Sequence, residues 1–511
     1  MLMVTLILAI WLFSLMCEYL AISQYLHSTY RNTLAVLSLL GVSVTLLIIY
    51  ISSFSLALLM GCVSFYRIIN LSRILVARLP QLHAQSLMRR TLFVLALLQG
   101  LILFLYGTAV LGNYSIAYHN ILLVLLIGSV IGATTILIAT VANIIGSQPR
   151  RTYSLTNEEY PTVTVAIAAR NETPVLMACL DSVVASTYPK LEIVVFDDNS
   201  QDTTAEIIKS FAQDGVRFVP WEYSKDDWLS KNKAYQILLE QASGDIMIFM
   251  GVDVRLQPTS LQRAVEQMLW RDVSMLGLVP KRTQSGLVAL FVQPMRYWWE
   301  LAVPKHAQRR PPVLSTAWLV KRSKLLAMGG FTSYKRSIVP EEHIARYFSR
   351  TKQYAFVRAT NTLAFTTQKT FSSQWDTQVR TRYPHAHRRP ETTLIQTVLL
   401  TCFVLVPFII LPMSLVYFVQ PLTIVLAGYA VGAYIISHIA ISVITNPIAG
   451  LFAPLNFPAA VALDIIALHV SMYKYEFSKL IWKGRDIAPK KLQVLAKLPS
   501  VDAIQGSENR H

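Results

Sequence analysis

Seven long apolar runs constrain this chain before any motif is considered. They occupy residues 2–26, 34–69, 91–111, 121–145, 394–419, 422–443 and 449–470, and most exceed the ~20 residues a helix needs to cross the hydrocarbon core of a bilayer. Between the fourth and fifth runs lies a stretch of about 230 residues, Pro161 to Pro390, with acids, Gly and Pro at ordinary frequency, large enough for a core of its own. The whole chain of 511 residues is 53% hydrophobic, too much for an ordinary soluble protein, and the surplus sits in the runs. We therefore expect four transmembrane helices over 1–150 and an extramembrane domain over 151–392. Two more transmembrane helices, plus a re-entrant or third apolar segment, follow over 393–472, with a basic tail at 473–511.

A net charge of +17 could indicate nucleic acid, but the bases cluster beside the ends of the apolar runs, which is the positive-inside pattern of a membrane protein. Arg67, Arg73, Arg78, Arg89 and Arg90 flank one connection, whereas Asn113 to Asn120 carries no Lys or Arg. The first connection is expected in the cytoplasm and the second outside. With Arg150 and Arg151 after the fourth run, the domain falls on the cytoplasmic face of the cell membrane. Lys474, Lys479, Lys483, Arg485, Lys490 and Lys491 require an even number of crossings after the domain. The run at 449–470, interrupted by Pro454, Asn456, Pro458 and Asp464, is then re-entrant or interfacial. The run at 34–69 is longer than one span requires, so its helix tilts or continues past the bilayer. No Lys or Arg precedes Arg31, so the first run is expected to be a retained span. Tyr30 to Leu37 resembles Tyr118 to Leu125, a weak sign of duplication. Cys17, Cys62, Cys179 and Cys402 have no disulfide-framework or zinc spacing.

Within the domain, β-rich runs at 162–168 and 192–196 enclose a helical pattern at 174–185, a βαβ unit. A further helix at 233–242 leads into a strand at 246–250. The expected fold is α/β and Rossmann-like, and three strands deliver polar residues at their carboxyl ends: Arg170-Asn171-Glu172, Asp197-Asp198 and Asp253. Ligands bind at such ends in open α/β sheets. Asp198-Asn199-Ser200 could equally cap the helix that follows at 203–211. Neighbouring carboxylates raise each other's pKa, so a divalent cation with a phosphorylated ligand supplies a reason for them, with Lys231 and Lys233 neutralising the rest of a diphosphate.

These residues resemble the membrane-bound family 2 inverting glycosyltransferases of GT-A type, from about Val163 to Tyr383, with a further match near the C-terminus. Ala169-Arg170-Asn171-Glu172 is similar to the family's opening loop, Asp197-Asp198-Asn199-Ser200 to its nucleoside-binding acids, and Lys231 to the lysine before the helix that leads to its Asp-x-Asp strand; Gln236 stands where Asn is usual. The triplet here is Gly251-Val252-Asp253, which keeps only the second acid, the metal ligand of Mg²⁺ or Mn²⁺. Met328-Gly329-Gly330-Phe331 resembles the element before the catalytic acids, here Glu341-Glu342, and by position Glu342 is the general base. Gln378 to Tyr383 is a partial match to Gln-x-x-Arg-Trp, with Val379 where Gln would stand and Arg382 and Tyr383 beside the leaving diphosphate. Trp482-Lys483-Gly484-Arg485 resembles a motif of relatives that glycosylate lipids, or is an interfacial anchor.

The resemblance implies transfer of a sugar from a nucleotide diphosphate donor, UDP-linked, to a lipid or lipid-linked acceptor in the bilayer, with inversion. Arg170, Glu172, Asp197, Asp198 and Lys231 would bind the nucleotide sugar. The alternatives are a processive polysaccharide synthase and a catalytically inactive membrane partner, the second motivated by Gly251, Glu342 and Val379. A transporter is disfavoured because the spans hold few charges. His385 and His387 are expected to be surface residues. Trp298 and Trp299 suggest either a core helix or one lying on the membrane.

Overall fold

The computed structural model describes residues 2–486 apart from 23–27, 53, 77–81, 112–113, 151–154, 222–227, 284–297, 304–310, 369, 387, 415–419, 479 and 484. It opens with five helices: α1 (Leu2–Ala21), α2 (Ser28–Ser52), α3 (Phe54–Val76), α4 (Leu82–Leu111) and α5 (Tyr114–Gly146). The single tilted span expected over 34–69 is instead two helices, α2 and α3, packed on each other, so five helices rather than four precede the domain. Helix α2 ends at Ser52 and α3 begins at Phe54. Arg67, expected beside a loop, is 1% exposed inside α3. Its guanidinium meets Glu18 of α1 at 2.8 Å, Gln99 of α4 at 3.0 Å and Ser14 of α1 at 2.7 Å. A buried charge persists where every donor finds a partner, and here the pair ties three helices together.

The domain runs β1 (Val163–Ala169), α6 (Thr173–Val184), β2 (Leu191–Asp197), α7 (Thr204–Ser210), β3 (Val216–Val219), α8 (Ser230–Gln241), β4 (Ile246–Met250), β5 (Val254–Leu256), α9 (Ser260–Trp270), β6 (Met275–Val279), β7 (Lys281–Arg282), β8 (Ala317–Lys321), α10 (Arg322–Ala327), α11 (Pro340–Arg350), β9 (Tyr354–Arg358) and β10 (Phe365–Thr367). Seven strands form a mixed sheet in the order β3-β2-β1-β4-β8-β6-β9, in which β8 alone runs against its neighbours. β5, β10 and β7 make a small second sheet.

The central strands are apolar on both faces, as buried parallel strands must be. Val163, Val165, Ile167, Ile193 and Val195 pack on Leu176, Leu180, Leu261 and Val265 of α6 and α9. Ala166, Val194, Phe196, Met247 and Phe249 pack on Leu238 and Leu239 of α8 and Ile344 of α11. Register then fixes the site: Ala169 pairs with Asp197 and Ile167 with Met250, so the loops after β1, β2 and β4 leave the sheet at one level.

Four helices complete the chain: α12 (Phe371–His385), α13 (Pro390–Met413), α14 (Pro421–Thr445) and α15 (Pro447–Phe477). Among the described residues, five helical stretches have the length and composition to cross a membrane, Thr29–Ile51, Leu122–Gly146, Pro390–Met413, Pro421–Thr445 and Pro447–Phe477. Where prolines led to the expectation of a broken segment, α15 is one continuous helix of 31 residues, about 46 Å long, through Pro454 and Pro458. Its interrupting polar groups face protein: Asn456 lies 3.0 Å from His438, and Asp464 binds Arg382. Beyond α15, the strands β11 (Ile481–Trp482) and β12 (Arg485–Asp486) form a hairpin.

Candidate active site

The rim of the cleft begins with two interlocked loops. Asn171 and Asn199 adopt left-handed conformations, with φ of 50° and 53°, which Asn tolerates better than most residues. Asn171 Oδ1 accepts from the Gln201 amide at 2.9 Å, and Ser200 Oγ accepts from the Asn171 amide at 3.0 Å. Asp197 and Asp198 are 7% and 4% exposed. Asp197 turns its carboxylate back on the Ser200 amide at 3.3 Å. The helix-capping work belongs to Asp202, which accepts from the amides of Thr204 at 3.1 Å and Thr173 at 3.3 Å. Desolvation acts to raise its pKa, but hydrogen bonds from Thr204 and Thr173 outweigh that and bring it down to about 2. Asp197 meets no α7 amide, since its carboxylate accepts from Ser200, ahead of that helix.

Arg170 and Glu172, expected in the donor pocket, are engaged with the chain's own backbone and with the C-terminal hairpin. Arg170 donates to the carbonyls of Asp198 and Asn199 and, at 3.1 Å, of Lys483. Lys483 returns a bond to the Arg170 carbonyl at 2.6 Å and pairs with Glu172. Trp482, beside it, lies under Arg380 of α12 at 4.7 Å. The segment expected as a lipid motif or interfacial anchor thus closes onto the rim at β1 and β2; Gly484 lies outside the described residues.

At the end of β4, Asp253 Oδ2 accepts from Thr367 Oγ1 of β10 at 2.8 Å. A Cβ built on Gly251 would meet Asp253 Oδ1 at 2.6 Å. The missing side chain at 251 is therefore the space in which the Asp253 carboxylate lies. Among the described residues no group of three or more His, Cys, Asp and Glu is placed to hold a metal. A divalent ion at this rim would have Asp253 as its protein ligand and would draw the rest of its shell from a bound diphosphate.

The second half of the cleft lies toward the apolar helices. Helix α8 organises its approach: Asn232, fully buried, donates to the carbonyls of Tyr334 at 2.8 Å, Lys335 at 3.1 Å and Ser337 at 2.8 Å. Gln236 accepts from the Phe331 amide at 2.8 Å, just after Gly329 and Gly330 at φ of 84° and 60°, left-handed values that favour glycine. This clamped loop delivers Pro340, Glu341 and Glu342 to the first turn of α11, where carboxylates suit the helix dipole. Lys231 reaches Glu341 at 3.3 Å and lies over the Tyr235 ring.

Glu342, 6% exposed, meets His385 Nε2 of α12 at 2.8 Å. The expectation of a surface histidine is thereby overturned for His385, and His387 lies outside the described residues. Arg382, one turn earlier on α12, donates to Asp464 of α15 at 2.6 Å and lies over the Trp299 ring at 4.6 Å. Trp299 Nε1 donates to the same carboxylate at 3.1 Å, and its neighbour Trp298 is buried against Phe457. Glu341, Glu342, His385, Gln378, Arg382, Glu300, Trp299 and Asp464 line one pocket of about 40 Å³, more than the minimum for an ordered water. Gln378 Oε1 and Arg382 Nε are buried there without a hydrogen-bond partner, unmet capacity that a polar ligand could satisfy.

Tyr383, expected beside the leaving group with Arg382, does not face this cavity. Its hydroxyl donates to Glu476 at 2.6 Å and its ring packs with Val63, Tyr66, Leu468 and Met472. Adjacent residues on a helix project about 100° apart, so both side chains cannot serve one pocket. The sequence missed Asn232, His385 and Asp464. The first two sit in polar stretches without a distinctive signal. Asp464 had one, a carboxylate in an apolar run, and was taken for an interruption.

The mixed sheet with carboxylates at its strand ends, set between apolar helices, is a GT-A-like α/β arrangement. Residues 164–339, within the α/β domain, match the model of Glycosyl transferase family 2. The chain is 31% identical to glycosyltransferase AglE of Haloferax volcanii over 23% of its own length and 38% of that protein. It is 27% identical to the UDP-Glc:alpha-D-GlcNAc-diphosphoundecaprenol beta-1,3-glucosyltransferase WfgD of Escherichia coli, over 26% of this chain and 52% of that one. It is 32% identical to the 4,4'-diaponeurosporenoate glycosyltransferase of Staphylococcus haemolyticus over 22% and 29%. These relatives are therefore matched over about half of their length or less. Among solved structures, a mannosyltransferase of Pyrobaculum calidifontis in complex with GDP-Man and Mn²⁺ aligns with a TM-score of 0.42 at 18% identity, covering 69% of this chain and 97% of that one.

Proposed function

We propose that this protein transfers a sugar from a nucleotide diphosphate donor, UDP-linked, to a lipid or lipid-linked acceptor, with inversion, at the cytoplasmic face of the cell membrane. The observation that carries the reading is the convergence of Glu342 and Arg382, from two distant segments, on one buried cavity beside α15. Asp197 and Asp198 hold the nucleoside at the rim. Glu342 takes the proton of the acceptor hydroxyl as its oxygen attacks the anomeric carbon, while the bond to the diphosphate breaks and UDP leaves with the electron pair. Arg382 faces the charge that develops on that leaving group, and Asp464 and Trp299 hold its guanidinium. A bound Mg²⁺ or Mn²⁺ at Asp253 supplies charge neutralisation of the diphosphate. The relatives' names support the acceptor class, since one prints a diphosphoundecaprenol acceptor and another a diaponeurosporenoate.

Connectivity supports the membrane arrangement that we propose. The chain leaves the domain at α13 and is tied back to Arg170 and Glu172 through Lys483, which favours an even number of crossings between them. We assign the crossings to α13 and α14, with α15 at the interface beside α12. The test is a UDP-release screen of purified protein across UDP-sugars with native membrane lipids, repeated with Glu342→Gln. Release in wild type and its loss in the variant is expected; unchanged turnover in the variant removes Glu342 as base.

A further inference from the structure

Two carboxylates begin α11, but only Glu342 is gripped by the interfacial helix. His385 Nε2 lies 2.8 Å from Glu342 Oε1, with the imidazole 20% and the carboxylate 9% exposed, and both line the cavity that holds Arg382. The contact joins elements 43 positions apart in sequence, across the junction of the α/β domain with the apolar helices. A glutamate base also has a problem of its own: one methylene more than aspartate gives it an extra torsion and a wider set of rotamers. An N–H donor fixed in the helix opposite removes that freedom, in the way that a third group orients the base of a catalytic triad.

We propose that His385 is a positioning residue for Glu342, donating Nε2–H to Oε1 so that the base is set only when α12 is docked against α11. The inference rests on the transferase reading above, and it assigns α12 two tasks in one turn: Arg382 toward the leaving group and His385 toward the base. The proton taken from the acceptor hydroxyl goes to Glu342 and not to His385, which keeps its own proton throughout. Other charges face this pair from every side: Glu341 on the same helix with Lys231 of α8 upon it, Arg382 on α12, Asp464 on α15 and Glu300 beside Trp299. Any pH profile therefore has to be read against variants of the pair itself.

The test uses the full-length protein in lipid nanodiscs. In the first arm, ¹³C-labelled histidine is titrated by NMR, the His385 resonance being the one absent from His385→Gln. Its midpoint is expected to fall in Glu342→Gln, because the carboxylate favours imidazolium; an unmoved midpoint overturns the pairing. In the second arm, UDP release from UDP-sugars with extracted membrane lipids is followed in His385→Ala and His385→Gln. For His385→Ala, kcat is expected to drop about 10²-fold, with donor KM changed little. The acid limb of its profile should move up, since a carboxylate that loses a donor becomes harder to ionise. His385→Gln, which retains an N–H donor, should recover most of the rate. A His385→Ala protein with wild-type kcat and acid limb, or a Gln variant no better than Ala at equal thermal stability, overturns the role. Absence of UDP release by wild type with every donor would overturn the transferase reading and the catalytic role with it. The NMR shift would still register the pair, so the two failures are distinguishable.

Discussion

At the rim, Asp197, Asp198 and Arg170 stand within one residue of the ends of β1 and β2, and their contacts are largely to neighbouring backbone. In the inner pocket, Glu342, His385, Arg382, Trp299 and Asp464 arrive from segments spread over 166 residue positions, and nearly every contact is side chain to side chain. The rim is made by strand register, which the core enforces. The pocket exists only where α11, α12 and α15 have docked. Substitution should therefore act differently in the two places: through donor affinity at the rim, and through turnover and assembly in the pocket.

The largest expected separation is between Glu342→Gln and Asp198→Asn. Removing a general base lowers kcat by about 10²- to 10⁴-fold and leaves donor KM nearly unchanged. Asp198→Asn should raise donor KM about 10-fold and lower kcat much less, both by initial-rate UDP release. If the two variants gave the same pattern, the division of labour between rim and pocket would be lost. Next comes the Arg382–Asp464 pair. With both side chains under 9% exposed, Asp464→Leu strands a buried guanidinium and should cost about 3–5 kcal/mol in denaturant unfolding, whereas the double variant with Arg382→Met should recover much of that loss. Recovery of stability without recovery of turnover would show that the pair both assembles the pocket and positions Arg382.

How much of this was legible in sequence follows the same division. The strands at β1, β2 and β4 were expected within a residue of where they stand, because buried parallel strands announce themselves as short apolar runs between turns. Asp197, Asp198 and Asp253 could be picked out because each stands at, or within three residues of, the end of such a run. The pocket was legible only through family resemblance, which pointed to Glu342, Arg382 and Tyr383; the first two line it, whereas the Tyr383 hydroxyl is turned to Glu476. Nothing local distinguishes a histidine that meets a glutamate 43 positions away, or tells an aspartate in a helix that an arginine will cover it. In the membrane region the run at 34–69 is shared between α2 and α3, because periodicity does not mark where one long apolar run folds back on itself.

A smaller effect tests the loop that joins the two halves. Asn232→Ala removes three hydrogen bonds to the carbonyls of residues 334, 335 and 337, leaving them underdonated in a buried setting, at a cost of about 1–3 kcal/mol. Because that loop sets the entry of α11, kcat should fall further than the lost stability explains, while donor KM holds. A loss of stability alone would place Asn232 in the core and out of the assembly of the base.

The smallest effect is expected from Tyr383→Phe, and it bears directly on which face of α12 belongs to the site. The variant deletes the hydroxyl that donates to Glu476 and keeps the ring among Val63, Tyr66, Leu468 and Met472, so a loss of about 1 kcal/mol of stability is expected. Were Tyr383 beside the leaving diphosphate, the same deletion would remove a donor to developing charge and lower kcat by about 10²-fold or more. With its hydroxyl on Glu476, kcat should stay within about threefold of wild type. A turnover defect near that of Arg382 would mean that α12 rotates when donor binds, carrying Tyr383 into the pocket and His385 away from Glu342.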